Sequence, residues 1–180
     1  MLTIDFEASC LPRDGRSFPI EVALAAPSGW SRTWLIRPAP SWSGWTWAAE
    51  AEALHGIDRA TLERVGQEPA AVMHALNAIA GKRAIVADHD LDRLWLATLS
   101  DAAAVAPTFS IRHVADILDR HRRESITRAV AAADHAVPMS HRAGPDARWL
   151  ATLLDQLPPA DAAMFNWARA PGTPYATSAG

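Results

Sequence analysis

The spacing of apolar and polar residues changes along the chain, and each change marks an element. Met1-Leu2-Thr3-Ile4 runs into Asp5-Phe6-Glu7-Ala8-Ser9, where acids alternate with apolar residues in the two-residue period of a strand. Pro12, Asp14-Gly15 and Ser17 then mark a turn. Phe18 to Leu24 reads as a second strand, Pro27-Ser28-Gly29 as another turn, and Ser31 to Ile36 as a third strand. Three strands joined by short turns predict an antiparallel meander, which Pro38 and Pro40 end. Residues 38–56 read as a Trp- and Pro-rich connection closing on His55-Gly56-Ile57. Ala60 to Val65 predicts a short helical turn.

A helical period takes over from Pro69 to Ala80, with Val72, Leu76 and Ile79 on one face, Pro69 at a first helical position and Gly81 as the stop. Arg83 to Ala87 reads as a buried strand. Leu94, Trp95, Leu96 and Leu99 share a helical face after it, and Pro107 to Ile111 suggests another short strand. Val114 to Leu118 begins a helix and Ile126 to Ala133 forms an Ala-rich one. His135 to His141 reads as a loop interrupted by Pro138. Gly144-Pro145 opens the last helix, which runs to about Leu154 before Pro158-Pro159 stops it. The order predicts α/β architecture with a central mixed five-stranded sheet, an antiparallel meander first and a helical crossover later. One domain over residues 1–157 is expected, followed by a loosely ordered tail over 158–180.

Composition narrows the class. A chain of 180 residues with 49% apolar and 21% charged residues suits one globular domain rather than a disordered segment. The net charge of −3 excludes the global basic footprint of a long-duplex binder, so contact with nucleic acid would be local. Cys10 is the single cysteine, which rules out an internal disulfide and fits a reducing cytoplasm. No apolar run is long enough to span a membrane, and no secretory signal is visible. Of the eight tryptophans, Trp30, Trp34, Trp42, Trp45 and Trp47 crowd into one stretch. We expect them to pack that connection onto the core; stacking on bases is the rival reading.

The candidate chemistry begins with Asp5 and Glu7. In a strand they project from one face, about 7 Å apart, while Phe6 enters the opposite layer. Two carboxylates sharing a buried face repel unless a cation or proton lies between them, which points to a hard divalent cation and its oxygen ligands. Asp92 follows a strand end in the first turn of a helix, where α/β sheets place ligands; Asp88 and Asp90 compete with it. His141 and Asp146 are five residues apart, and the Gly144-Pro145 break puts the histidine on a loop that can fold back over the acid.

These residues, in this order, resemble the DEDDh 3′–5′ exonuclease family of the proofreading-subunit and oligoribonuclease type. Asp5-Phe6-Glu7-Ala8-Ser9 resembles the first motif, D-x-E-x-[ST]. Leu91-Asp92-Arg93-Leu94-Trp95-Leu96 resembles the second, and His141-Arg142-Ala143-Gly144-Pro145-Asp146-Ala147 the third, H-R-A-x-x-D-A. His55-Gly56-Ile57 is similar to the family's intervening H-G-I segment. The resemblance covers about residues 1–155. It implies a ribonuclease H-like fold and hydrolysis of phosphodiester bonds from the 3′ end of single-stranded RNA or DNA. It implies two Mg²⁺ or Mn²⁺ ions held by Asp5, Glu7, Asp92 and Asp146, with His141 taking the proton from water. It also places Phe6, Ala8 and Ser9 along a terminal-nucleotide pocket, partly through their backbone, with His55 as a further substrate contact. A binding module of the same fold that lacks catalysis is the alternative, against which the full set of four acids and a histidine counts. No membrane partner is expected, and the resemblance leaves open whether the chain acts alone or as a homodimer.

Overall fold

The computed structural model describes residues 1–159. The expected tail therefore falls outside the described residues except for Pro158 and Pro159. Three strands open the chain: β1 (Thr3–Ala8), β2 (Pro19–Ala25) and β3 (Ser31–Leu35). A short 3₁₀ turn, Pro40–Trp42, precedes α1 (Ala49–His55), α2 (Arg59–Val65) and α3 (Pro69–Ala80). Then come β4 (Ala84–Ala87), α4 (Leu91–Ala103), β5 (Ser110–His113), α5 (Ala115–Leu118), α6 (Arg123–Ala136) and α7 (Ala143–Gln156). The sheet order is β3-β2-β1-β4-β5. β1, β2 and β3 pair antiparallel, whereas β4 lies parallel to both β1 and β5. The mixed five-stranded sheet is as the sequence predicts.

The strand alternation sorts the side chains into two layers. Ile4, Phe6, Val22 and Leu24 turn to one face and join Val72, Leu76, Trp95 and Leu99 in the main core, which packs α3 and α4 onto the sheet. Thr3, Asp5, Glu7, Glu21, Ala23 and Ala25 fall on the other parity of β1 and β2. There α7 lies directly over β1, β2 and β3. Its approach is a seam of small residues, Ala143, Ala147 and Ala151 against Ala23 and Ala25, all buried. Gly144 belongs to the same contact: a Cβ there would lie 2.7 Å from the Thr33 hydroxyl. The Thr3 hydroxyl donates to the Ala147 carbonyl at 2.7 Å, tying the middle of the first helical turns to β1. Small side chains thus let the start of α7 sit against the sheet, and the start of α7 carries Asp146.

Two expectations need correction. The 38–56 connection is not irregular throughout, because Ala49-Glu50-Ala51-Glu52-Ala53-Leu54-His55 is helical and ends at Gly56 with φ +69°. Ala, Glu and Leu are strong helix formers, and the left-handed stop favours glycine. His135 lies in α6, which continues to Ala136, so the loop before α7 spans only 137–142. No helix among the described residues is long and apolar enough to cross a membrane.

Candidate active site

The carboxyl ends of the two interior parallel strands β1 and β4 and the first turns of α4 and α7 converge at one end of the sheet. Asp5, Glu7 and Asp146 each bring a carboxylate oxygen to within 4.8 Å of the others. The alternation of β1 delivers the first two, and the alanine seam under α7 delivers the third. The Ser140 N–H donates to Asp146 Oδ1 at 3.0 Å, so the loop carrying His141 folds back over the acid. His141 itself is exposed, and its φ of +52° lies in the left-handed region that few non-glycine residues occupy. That turn swings the chain from the loop into α7.

Asp92 sits in the first turn of α4 and is 1% exposed. The ambiguity with its neighbours is resolved by burial. Asp88 and Asp90 are exposed, and Asp90 is paired with Arg93 at 2.6 Å on the surface. Asp92 lies outside the three-acid group but acts on one of its members, Asp5. Its charge is the largest that acts on Asp5, after burial itself, in raising that carboxyl far above the usual range; Glu7, Asp88 and Asp146 add to the effect. Asp92 in turn is pushed up to about 8 by burial first and by Asp88 second, against stabilising hydrogen bonds from the Phe6 and His89 backbone. One oxygen of Asp92, Oδ2, is buried with no hydrogen-bond partner. Burial, then the charges of Asp146 and Glu21, push Glu7 up to about 8 as well, while Arg142 pulls it down. Buried carboxylates this crowded favour protons or a cation over four bare charges.

The donor set fits a hard divalent cation. It offers carboxylate oxygens from Asp5, Glu7 and Asp146, an orphaned oxygen on Asp92 near Asp5, and no thiolate or imidazole cluster among the described residues. Beside it opens a cavity of about 690 Å³, lined by Glu7, Ala8, Cys10, Trp47, Leu54, His55 and Trp95, with Arg13, Asp14 and Glu50 also on its wall. That is within the size range of small-ligand pockets. His55 Nδ1 accepts the Ile57 N–H at 3.0 Å. The imidazole proton is therefore on Nε2, which is buried and has no protein partner. Burial holds the His55 pKa below its ordinary value, so the ring is a neutral donor.

The other expected contacts fall differently. Ala8 lines the cavity, but the Phe6 side chain is in the core and the Ser9 hydroxyl accepts the Phe18 N–H at 3.1 Å. Neither residue lines the cavity: the Ser9 N–H donates to the Phe18 carbonyl at 2.9 Å, the Ser9 carbonyl accepts the Ala48 N–H at 2.9 Å, and the Phe6 backbone hydrogen-bonds to Asp92. The tryptophans divide. Trp34 and Trp42 are buried, and Trp42 stacks on Phe18 at 5.2 Å between ring centroids. Trp47 and Trp95 wall the cavity.

Sequence reasoning missed Glu21. It is 1% exposed and holds Arg142 through Nη2 at 2.6 Å and Nε at 3.0 Å. The signal was a single charge inside the otherwise apolar strand Pro19-Ile20-Glu21-Val22-Ala23-Leu24-Ala25, where a buried acid requires a partner.

The α/β architecture built on this mixed five-stranded sheet matches the ribonuclease H-like fold. Among solved structures, the chain is similar to Escherichia coli exonuclease I bound to a dA16 oligonucleotide, with a TM-score of 0.64 and 15% identity over 92% of this chain and 42% of that one. The zinc-bound E. coli exonuclease I complex with single-stranded DNA gives 0.62 and 16%, over 87% and 39%. Exonuclease I of Methylocaldum szegediense gives 0.62 and 16%, over 86% and 40%. The chain spans about two fifths of the length of these proteins. No protein family model and no curated protein sequence matches the chain.

Proposed function

We propose that this chain is a metal-dependent 3′–5′ exonuclease of the DEDDh type that removes nucleotides from the 3′ end of single-stranded RNA or DNA. The observation that carries the reading is the convergence of Asp5, Glu7 and Asp146 within 4.8 Å, with buried Asp92 acting on Asp5. Asp5, Glu7, Asp92 and Asp146 would hold two Mg²⁺ or Mn²⁺ ions, which when bound supply Lewis acidity and an activated water at neutral pH. The solved structures of similar fold that carry single-stranded oligonucleotides support the choice of substrate.

The chain's own residues have separable tasks. His141, on the exposed loop, accepts the proton from water as its oxygen forms a bond to phosphorus, the general-base task for which histidine is the most frequent side chain. The bond from phosphorus to the 3′ oxygen of the preceding nucleotide breaks, and that oxygen takes a proton from solvent. Ser140, through its N–H on Asp146, keeps the loop against the acids. Trp47, Trp95, Leu54 and Ala8 give the terminal nucleotide an apolar wall, and His55 Nε2–H gives it a donor.

The test is digestion of 5′-labelled single strands of RNA and DNA with Mg²⁺ or Mn²⁺. The reading expects a ladder that shortens from the 3′ end and stops on chelation. Intact oligomers of both kinds, with either cation, would refute it.

A further inference from the structure

Glu21 is as buried as Asp92, yet it is not among the proposed cation ligands. It stands directly across β1 and β2 from Glu7, on the same face. Its hydrogen bonds all go to one place. Oε1 accepts Arg142 Nη2 at 2.6 Å, and Oε2 accepts both Arg142 Nε at 3.0 Å and the Ala143 N–H at 2.9 Å. Arg142 follows His141 in the chain, and Ala143 is the first residue of α7. Arg142 is also the N-cap of α7 and supplies no side-chain cap of its own. A carboxylate from another strand therefore does the capping that a Ser or Asp would ordinarily do.

We propose that Glu21 is a positioning residue: by gripping Arg142 and the first N–H of α7 it sets Asp146 and His141 against Asp5 and Glu7. The proposal rests on the exonuclease reading of the site. A fork of two charge-assisted bonds fixes direction as well as distance, so it fixes the one place where the left-handed turn at His141 meets the helix. Glu21 also occupies the guanidinium of Arg142. Released, that cation would be free to pair with Glu7, the carboxylate opposite, in the space the metal needs. Arg142 already acts on Glu7 from its present place.

Partners that orient metal ligands typically cost about 10–100-fold in metal affinity or activity when removed. The test is Mn²⁺ binding by the full chain, read from the electron paramagnetic resonance of free Mn²⁺, below the melting temperature of every variant. E21Q should bind Mn²⁺ at least tenfold more weakly than the parent, with its circular dichroism unchanged and turnover reduced to match. R142K keeps the charge but not the fork and should fall between E21Q and the parent. A merely structural role would lower the melting temperature and leave the affinity of the folded protein alone. If E21Q fails to fold, R142K decides: weakened Mn²⁺ binding supports the role, and parental affinity overturns it. A parent that binds Mn²⁺ while folded E21Q binds it equally well overturns the positioning role alone. A parent that binds no Mn²⁺ overturns the exonuclease reading, and this role with it.

Discussion

Replacing Asp92 with Asn should stabilise the metal-free protein while abolishing activity. Asp92 is 1% exposed and its carboxyl is pushed up to about 8 by burial and by Asp88. In the unfolded chain it would titrate near 4. Below that pH the acid is protonated in both states and contributes nothing to the pH dependence. Between about 4 and 8 the native state holds a proton that the unfolded state has lost, so stability falls as pH rises. Above about 8 both states are ionised and the loss levels off. A shift of about four units corresponds to roughly 5 kcal/mol at pH 8. Asn removes that cost but places an amide N–H₂ where Oδ2 has no partner, which returns about 1–3 kcal/mol. A net gain of about 2–4 kcal/mol remains, or roughly 5–15 °C in melting temperature for a domain of this size. The assay is thermal melting of parent and variant in a chelator, from pH 5 to 9. The advantage of Asp92→Asn should grow with pH and level off near 8, and added Mn²⁺ should raise the parent more than the variant. A variant less stable than the parent at pH 8, or a difference that ignores pH, would refute the reasoning.

Further outcomes follow from the same geometry. His141→Ala should bind Mn²⁺ nearly as well as the parent but turn over about 10²–10⁴-fold more slowly, the usual cost of a lost general base; lost Mn²⁺ binding would instead make His141 a ligand. Asp88→Asn, at an exposed position, should keep substantial activity, and a dead variant would move the fourth acid from Asp92 to Asp88. Trp42→Ala should cost about 3–5 kcal/mol of stability, because that ring is buried on Phe18. Trp47→Ala should weaken binding of a short single strand by about 1–3 kcal/mol, as seen in tryptophan quenching; parental binding would remove Trp47 from the substrate wall.

The sheet and most helices were legible because their signals are local. The two-residue period of Thr3–Ala8 set Asp5 and Glu7 on one face without any tertiary information, and Gly144-Pro145 located the start of α7. What sequence spacing did not reveal depends on packing. The choice between Asp88, Asp90 and Asp92 is decided by which side chain the core swallows. Glu21 was missed because its partner is 121 residues away, although a charge inside an apolar strand hinted at one. Trp42 and Trp47 lie five residues apart and both rings meet Phe18, yet Trp42 is buried in the core and Trp47 lines the cavity. α1 itself was passed over because the prolines and tryptophans before it suggested a loop, even though Ala49 to His55 are nearly all helix formers.

Whether these acids gather to hold divalent cations is read by calorimetric titration of Mn²⁺ into the full chain. Glu7 and Asp92 have carboxyls pushed up to about 8, so at pH 7 each retains a proton that a bound cation must displace. Repeating the titration in two buffers of different ionisation enthalpy counts those protons. The expected result is saturable binding of two ions per chain, with proton release at pH 7 that shrinks toward pH 9 and binding that is lost in Asp5→Asn. Absence of saturable binding, or binding that releases no protons at pH 7, would contradict it.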